Sequence, residues 1–95
     1  MDLEIQAKHT ELDPQWRELI ERRIAKLQGQ GTRFIRIHVT LEHNTHHAHG
    51  FEEVRILASV AHHTLRVQKT KPDMAEAIQA AFAALERELE PYQSH

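Results

Sequence analysis

The stretch from Lys69 to Leu89, KTKPDMAEAIQAAFAALEREL, constrains the fold of this chain more than any other. It reads as the end of a strand, a short turn and a sharply started amphipathic helix. Asp73 has the short, oxygen-bearing side chain that satisfies a free backbone N–H in a first turn, and Glu76 completes a capping-box-like pair. Behind that cap, Met74, Ile78, Ala81, Phe82, Leu85 and Leu89 recur at helical spacing and form one apolar stripe. A helix with one apolar face must bury it against another layer, and the segments before it supply strands. The stretch therefore closes an α+β domain.

Those earlier segments alternate clearly. Leu3, Ile5 and Ala7 interleave with Asp2, Glu4, Gln6 and Lys8, which predicts a short first strand. A helix follows, with Asp13 as N-cap and Pro14 at its first position; Trp16, Leu19, Ile20, Ile24 and Leu27 share one face, and Gly29 and Gly31 mark its end. From Phe34 to Glu42, Ile35, Ile37, Val39 and Leu41 point one way and Arg36, His38 and Thr40 the other, with Phe34 assigned to the open side. After the polar loop HNTHHAHG comes a third strand over 52–61, with Val54, Ile56, Ala58 and Val60 inward. A tight turn at His62-His63 leads into a fourth strand with Leu65 and Val67 inward. The last helix ends before Pro91.

The predicted order is β-α-β-β-β-α: a four-stranded sheet with both helices on one face and the other face open to solvent. A chain of 95 residues allows one core, so residues 1–95 are read as one domain. No apolar run approaches the roughly 20 residues that span a bilayer, and the start, MDLEIQAKH, lacks a basic-then-apolar signal layout, so neither membrane nor export is expected. Cysteine is absent, which excludes disulfides and zinc–thiolate sites and is compatible with the cytoplasm.

Net charge is −2 with histidines neutral, but its distribution is uneven. The first helix holds Arg17, Arg22, Arg23 and Lys26 against Glu18 and Glu21. The strands and turn that follow hold Arg33, Arg36, Arg55, Arg66, Lys69 and Lys71 against Glu42, Glu52 and Glu53. Beyond Pro72, Arg87 alone faces Asp73, Glu76, Glu86, Glu88 and Glu90. Arg22, Arg23 and Lys26 fall on one flank of the first helix, where clustered cations meet phosphates; the plainer reading is a solvated face with an i,i+4 Glu18–Arg22 pair. By alternation, the open sheet should carry Lys8, Arg36, His38, Arg55, Arg66 and Gln68 as a cationic field.

The ordered set of segments resembles the ribosome hibernation-promoting factors, also called the sigma-54 modulation or protein Y family, over nearly the full length. The residues that carry the resemblance are Ile5-Gln6-Ala7-Lys8, Arg22-Arg23-Ile24-Ala25-Lys26-Leu27, the alternating Ile35, Ile37 and Val39, Asp73-Met74-Ala75-Glu76-Ala77-Ile78 and Leu85-Glu86-Arg87-Glu88-Leu89. The resemblance implies a fold similar in outline to double-stranded RNA-binding domains. It also implies a non-catalytic rRNA-binding factor that occupies the decoding region of the small ribosomal subunit and promotes hibernation or inhibits translation under stress. The length looks like the short form, without an added dimerising domain, so a monomer is expected, with a homodimer as the alternative.

Lys8, Arg22, Arg23 and Lys26 stand at the family's basic positions; Arg36, Arg55 and Arg66 are added from strand alternation alone. The chain departs from the family in its last helix, where Arg87 is the lone base and the outward side carries Ala80, Ala83 and Ala84. That departure keeps a second reading open: a relative without ribosome binding that serves as a protein-interaction or metal-binding module. Its metal ligands would be His43, His46, His47 and His49, which crowd one hairpin loop, imidazole being a common ligand for zinc, nickel or copper. A solvated polar turn is the bland alternative, since the loop lacks structural-zinc spacing and only Glu42 is a nearby carboxylate. Protonation of the nine histidines would add positive charge as pH falls through roughly 6.5. No cofactor is expected. The chain has no cysteine nucleophile, Gly-rich phosphate loop or glycine-framed serine elbow, so catalysis is not expected either.

Overall fold

The computed structural model describes residues 1–44 and 51–92. The elements run β1 (Asp2–Lys8), α1 (Pro14–Gly29), β2 (Arg36–Asn44), β3 (Phe51–Val60), β4 (His63–Lys71) and α2 (Met74–Leu89), followed by a 3₁₀ turn (Glu90–Tyr92). This is the expected β-α-β-β-β-α order, and the strands form one sheet in the order β1-β2-β3-β4. β1 runs parallel to β2, as a strand reached through a crossover helix must, and the two hairpins pair β2, β3 and β4 antiparallel.

Both helices begin where the capping residues lie. Asp13 is extended and accepts the Gln15 N–H at 2.8 Å, with Pro14 supplying a pre-set φ behind it. Asp73 accepts the Glu76 N–H at 3.1 Å. α1 ends because Gly31 takes φ +100, a conformation that side chains rarely adopt. The Gln30, Gly31 and Thr32 amides then turn back onto the Lys26, Gln28 and Leu27 carbonyls at 3.1, 3.0 and 3.1 Å.

Alternation decides the faces. Ile37, Val39 and Leu41 of β2, Val54, Ile56 and Ala58 of β3 and Leu65 of β4 are buried, with Leu3, Ile5 and Val67 packed against them at the edge strands. Against this surface lies the stripe of α2, Met74, Ala77, Ile78, Ala81, Phe82, Leu85 and Leu89, together with Ile20, Ile24 and Leu27 of α1. α2 sits on β3 and β4 and against α1, so both helices cover the same side.

Three local expectations are corrected. Phe34 is buried (7% exposed) and Ile35 is exposed (60%), the reverse of simple alternation. The pleat begins only at Arg36. Before it, Ile35 spans its neighbours through backbone alone: its N–H meets the Ser59 carbonyl at 2.7 Å and its carbonyl accepts from Asp2 at 3.1 Å. A bend there turns the Ile35 side chain out and gives the aromatic ring the inner place. The β3–β4 turn is Ala61-His62 rather than His62-His63; His62 adopts φ +67, while His63 already pairs with Val60. β3 accordingly spans Phe51–Val60, one residue earlier than expected.

Candidate nucleic-acid interface

α1 divides its cations between two environments. Arg22 and Lys26, one helical turn apart, are exposed, and neither has a carboxylate partner among the described residues. The Glu18–Arg22 ion pair is not made. Arg23 turns inward instead. Its guanidinium donates to Gln79 Oε1 at 3.0 Å and to Glu86 Oε1 at 3.3 Å, both on α2, while its Nε is buried without a partner. Arg23 is thus a tie between the helices, so the three bases do not present one flank. Its partners lie 56 and 63 residues away, and no local spacing could have announced them.

The open sheet carries all the side chains that alternation placed there, but not as a cationic field. Register sets Asp2 beside Arg36, Glu4 beside His38 and Leu57 beside Arg66, with Lys8, Glu42 and Glu53 in one row. Lys8, Arg36, Arg55 and Arg66 thereby share the face with Asp2, Glu4, Glu42 and Glu53, and the formal charges cancel. The expectation failed because it counted the bases at alternating positions and not the acids at the same parity. Arg55 is held from two sides, by Glu42 at 3.0 Å and Glu53 at 3.1 Å. Arg36 lies 4.0 Å from Asp2 with both side chains well exposed, a pair of negligible strength. Lys8 and Arg66 have no ion-pair partner among the described residues. A shallow groove of about 400 Å³ crosses the face between His38, Thr40, Arg55, Arg66 and Gln68.

The histidine set is only partly visible. His43 lies one residue before the end of β2 and its Nδ1 meets Glu52 Oε1 across the hairpin at 2.5 Å, a cross-strand partner set by register. His46, His47 and His49 lie outside the described residues. Among the described residues no cluster of three or more histidine, cysteine or acidic side chains could hold a metal ion. No helix there is long and apolar enough to cross a membrane.

The comparisons with known proteins agree with this architecture. The fold superimposes on a ribosomal subunit interface protein from Coxiella burnetii with a TM-score of 0.81 at 18% identity, covering 97% of each chain. It superimposes equally well, TM-score 0.81 at 19% identity, on the N-terminal domain of Thermus thermophilus Protein Y, over 98% of this chain and 100% of that one. No curated protein matches the chain by sequence. Residues 3–95 match the family described as Sigma 54 modulation protein / S30EA ribosomal protein, and the chain belongs to that ribosome-associated family.

Proposed function

We propose that this protein is a non-catalytic rRNA-binding factor that occupies the decoding region of the small ribosomal subunit, in the cytoplasm and as a monomer. There it promotes ribosome hibernation or inhibits translation under stress. The observation that carries this reading is the family match over residues 3–95. The outward pair Arg22 and Lys26 on α1 supports it, being free to meet phosphate oxygens. Lys8 and Arg66 extend the set from the sheet. Arg23, Arg36 and Arg55 are secondary contacts, because Arg23 and Arg55 must first leave carboxylates that already hold them. Contacts of this kind position a protein on the nucleic-acid backbone and carry no base sequence information.

Co-sedimentation with purified small subunits at two salt concentrations tests the reading. Each lost phosphate contact lowers the slope of log affinity against log salt by about 0.7–0.9. Arg22→Glu with Lys26→Glu is expected to abolish pelleting at the higher salt and flatten the slope by about two such steps. Absence of pelleting by the parent protein at low salt would sink the proposal. If zinc then shifted the protein through its histidines, the reading as a metal-responsive module would take its place.

A further inference from the structure

A second surface stands apart from the α1 flank and the open sheet. Where the chain leaves α1, the β3–β4 turn and the end of α2 enclose an open cleft of about 560 Å³. Its walls include Arg33, Val60, Ala61, His63, Leu89 and Tyr92. The volume lies within the roughly 300–1,000 Å³ of ordinary small-ligand sites. Leu89, Val60 and Ala61 supply the apolar part of its lining.

Tyr92, in the 3₁₀ turn, keeps 47% of its surface exposed although its ring lies against the His63 imidazole, the centroids 4.0 Å apart and the planes tilted by 33°. One aromatic ring is therefore held in place by another while much of its surface stays open. Arg33, which lines the same cleft, is exposed and has no carboxylate partner among the described residues. Glu90, the acid of the 3₁₀ turn, does not line the cleft.

We propose that this cleft binds one unstacked RNA nucleotide, its base stacked on Tyr92 and its phosphate held by Arg33. The proposal deepens the rRNA-binding reading above and rests on it for the source of the nucleotide. A pre-oriented ring in a partly apolar cleft suits the π-face of any base, and a guanidinium without an ion-pair partner in the same lining suits the phosphate attached to it. The location is consistent with this. Lys26 occupies the last turn of α1 and Arg33 follows the end of that helix, so a strand laid along Lys26 leads toward the cleft. Stacking of this kind tolerates any base, so the site adds affinity with little sequence preference.

The first arm of the test needs no ribosome. Proton NMR of the full chain follows the Tyr92 and His63 ring signals during titration with adenosine 5′-monophosphate, with inorganic phosphate as the comparison. The nucleotide is expected to move the Tyr92 ring signals upfield, while phosphate alone leaves them in place. Arg33→Gln and Tyr92→Leu are each expected to weaken nucleotide binding by about tenfold, the scale of one stacking or charged contact. Tyr92→Phe, which keeps the ring, is expected to bind as the parent does. Thermal melts of every variant report whether the fold is intact.

In the second arm, Tyr92→Leu is expected to weaken small-subunit pelleting by about tenfold, with Tyr92→Phe retaining it. Tyr92 signals unmoved by millimolar nucleotide, or Tyr92→Leu pelleting as strongly as a parent that does pellet, would overturn the proposal. The two readings fail separately. A parent that binds the nucleotide at Tyr92 but does not pellet with small subunits overturns the ribosomal reading and supports the nucleotide site.

Discussion

Arg23 gives the sharpest test of how far the cations of α1 are available to RNA. Its pair with Glu86 is intermediate in depth, the side chains being 20% and 32% exposed at a separation of 3.3 Å. Exposed pairs contribute about 0.2–1 kcal/mol, and removing one partner of a fully buried pair costs about 3–5 kcal/mol. Because Glu86 remains partly hydrated once its partner is gone, the pair belongs near 1 kcal/mol. The Gln79 bond at 3.0 Å adds about 0.5–1 kcal/mol. Against both stands the buried Nε without a partner, whose removal returns about 1 kcal/mol of desolvation.

Arg23→Ala, which also loses the packing of the aliphatic stem, is therefore expected to destabilise the fold by about 1 kcal/mol. For a chain of this size that lowers Tm by about 4–8 °C. Arg23→Met keeps the stem and removes the orphaned group, so its stability should lie within about 0.5 kcal/mol of the parent. A double-mutant cycle with Glu86→Ala in urea should return a coupling energy of about 0.5–1 kcal/mol. Small-subunit affinity of Arg23→Met should stay within about twofold of the parent, while Arg22→Met loses more and melts normally. If Arg23→Ala melts within about 1 °C of the parent while losing as much affinity as Arg22→Ala, the guanidinium is a phosphate contact and the helix-seam argument is wrong.

Other expectations follow from the same geometry. Phe82 is fully buried between α2 and the sheet, so Phe82→Ala should cost about 3–5 kcal/mol in urea unfolding, a large part of the stability of a small domain. His62 sits at φ +67, where a non-glycine residue is disfavoured by about 1–2 kcal/mol; after the entropic cost of glycine, His62→Gly should gain about 0.5 kcal/mol and raise Tm by a few degrees. Arg55 is already held by Glu42 and Glu53, so Arg55→Gln should lower the salt slope of small-subunit pelleting by clearly less than Lys26→Gln, which should lower it by about 0.7–0.9.

The elements were legible because their signals are local. Asp13-Pro14 and Asp73 start helices with oxygens that reach amides two or three residues on. The stripe from Met74 to Leu89 and the alternation from Ile37 to Leu41 identify buried faces within one element at a time. These signals suffice for β-α-β-β-β-α order, for both helices on one side, and for which residues face the open sheet. The errors fall where local periodicity stops. Phe34 and Ile35 precede the regular pleat, so parity counted back from Ile37 assigns them to the wrong sides. Neither caps nor alternation indicates that His62 turns left-handed while His63 joins the strand.

The candidate site was legible as a list of charges and not as an electrostatic surface. Periodicity alone places Lys8, Arg22, Lys26, Arg36, Arg55 and Arg66 at outward positions, because outwardness follows from period 3.6 or period 2. Which cations are already engaged depends on contacts between distant segments. Arg23 meets Gln79 and Glu86 because α1 lies against α2, and Arg55 meets Glu42 because β2 and β3 pair in one register rather than its neighbour. The Tyr92–His63 cleft likewise exists only where the β3–β4 turn and the end of α2 converge. The physical reason is range. Caps and periodicity act over a few residues along the chain, whereas charge pairing and cavity shape act over a few ångströms between segments that folding alone brings together.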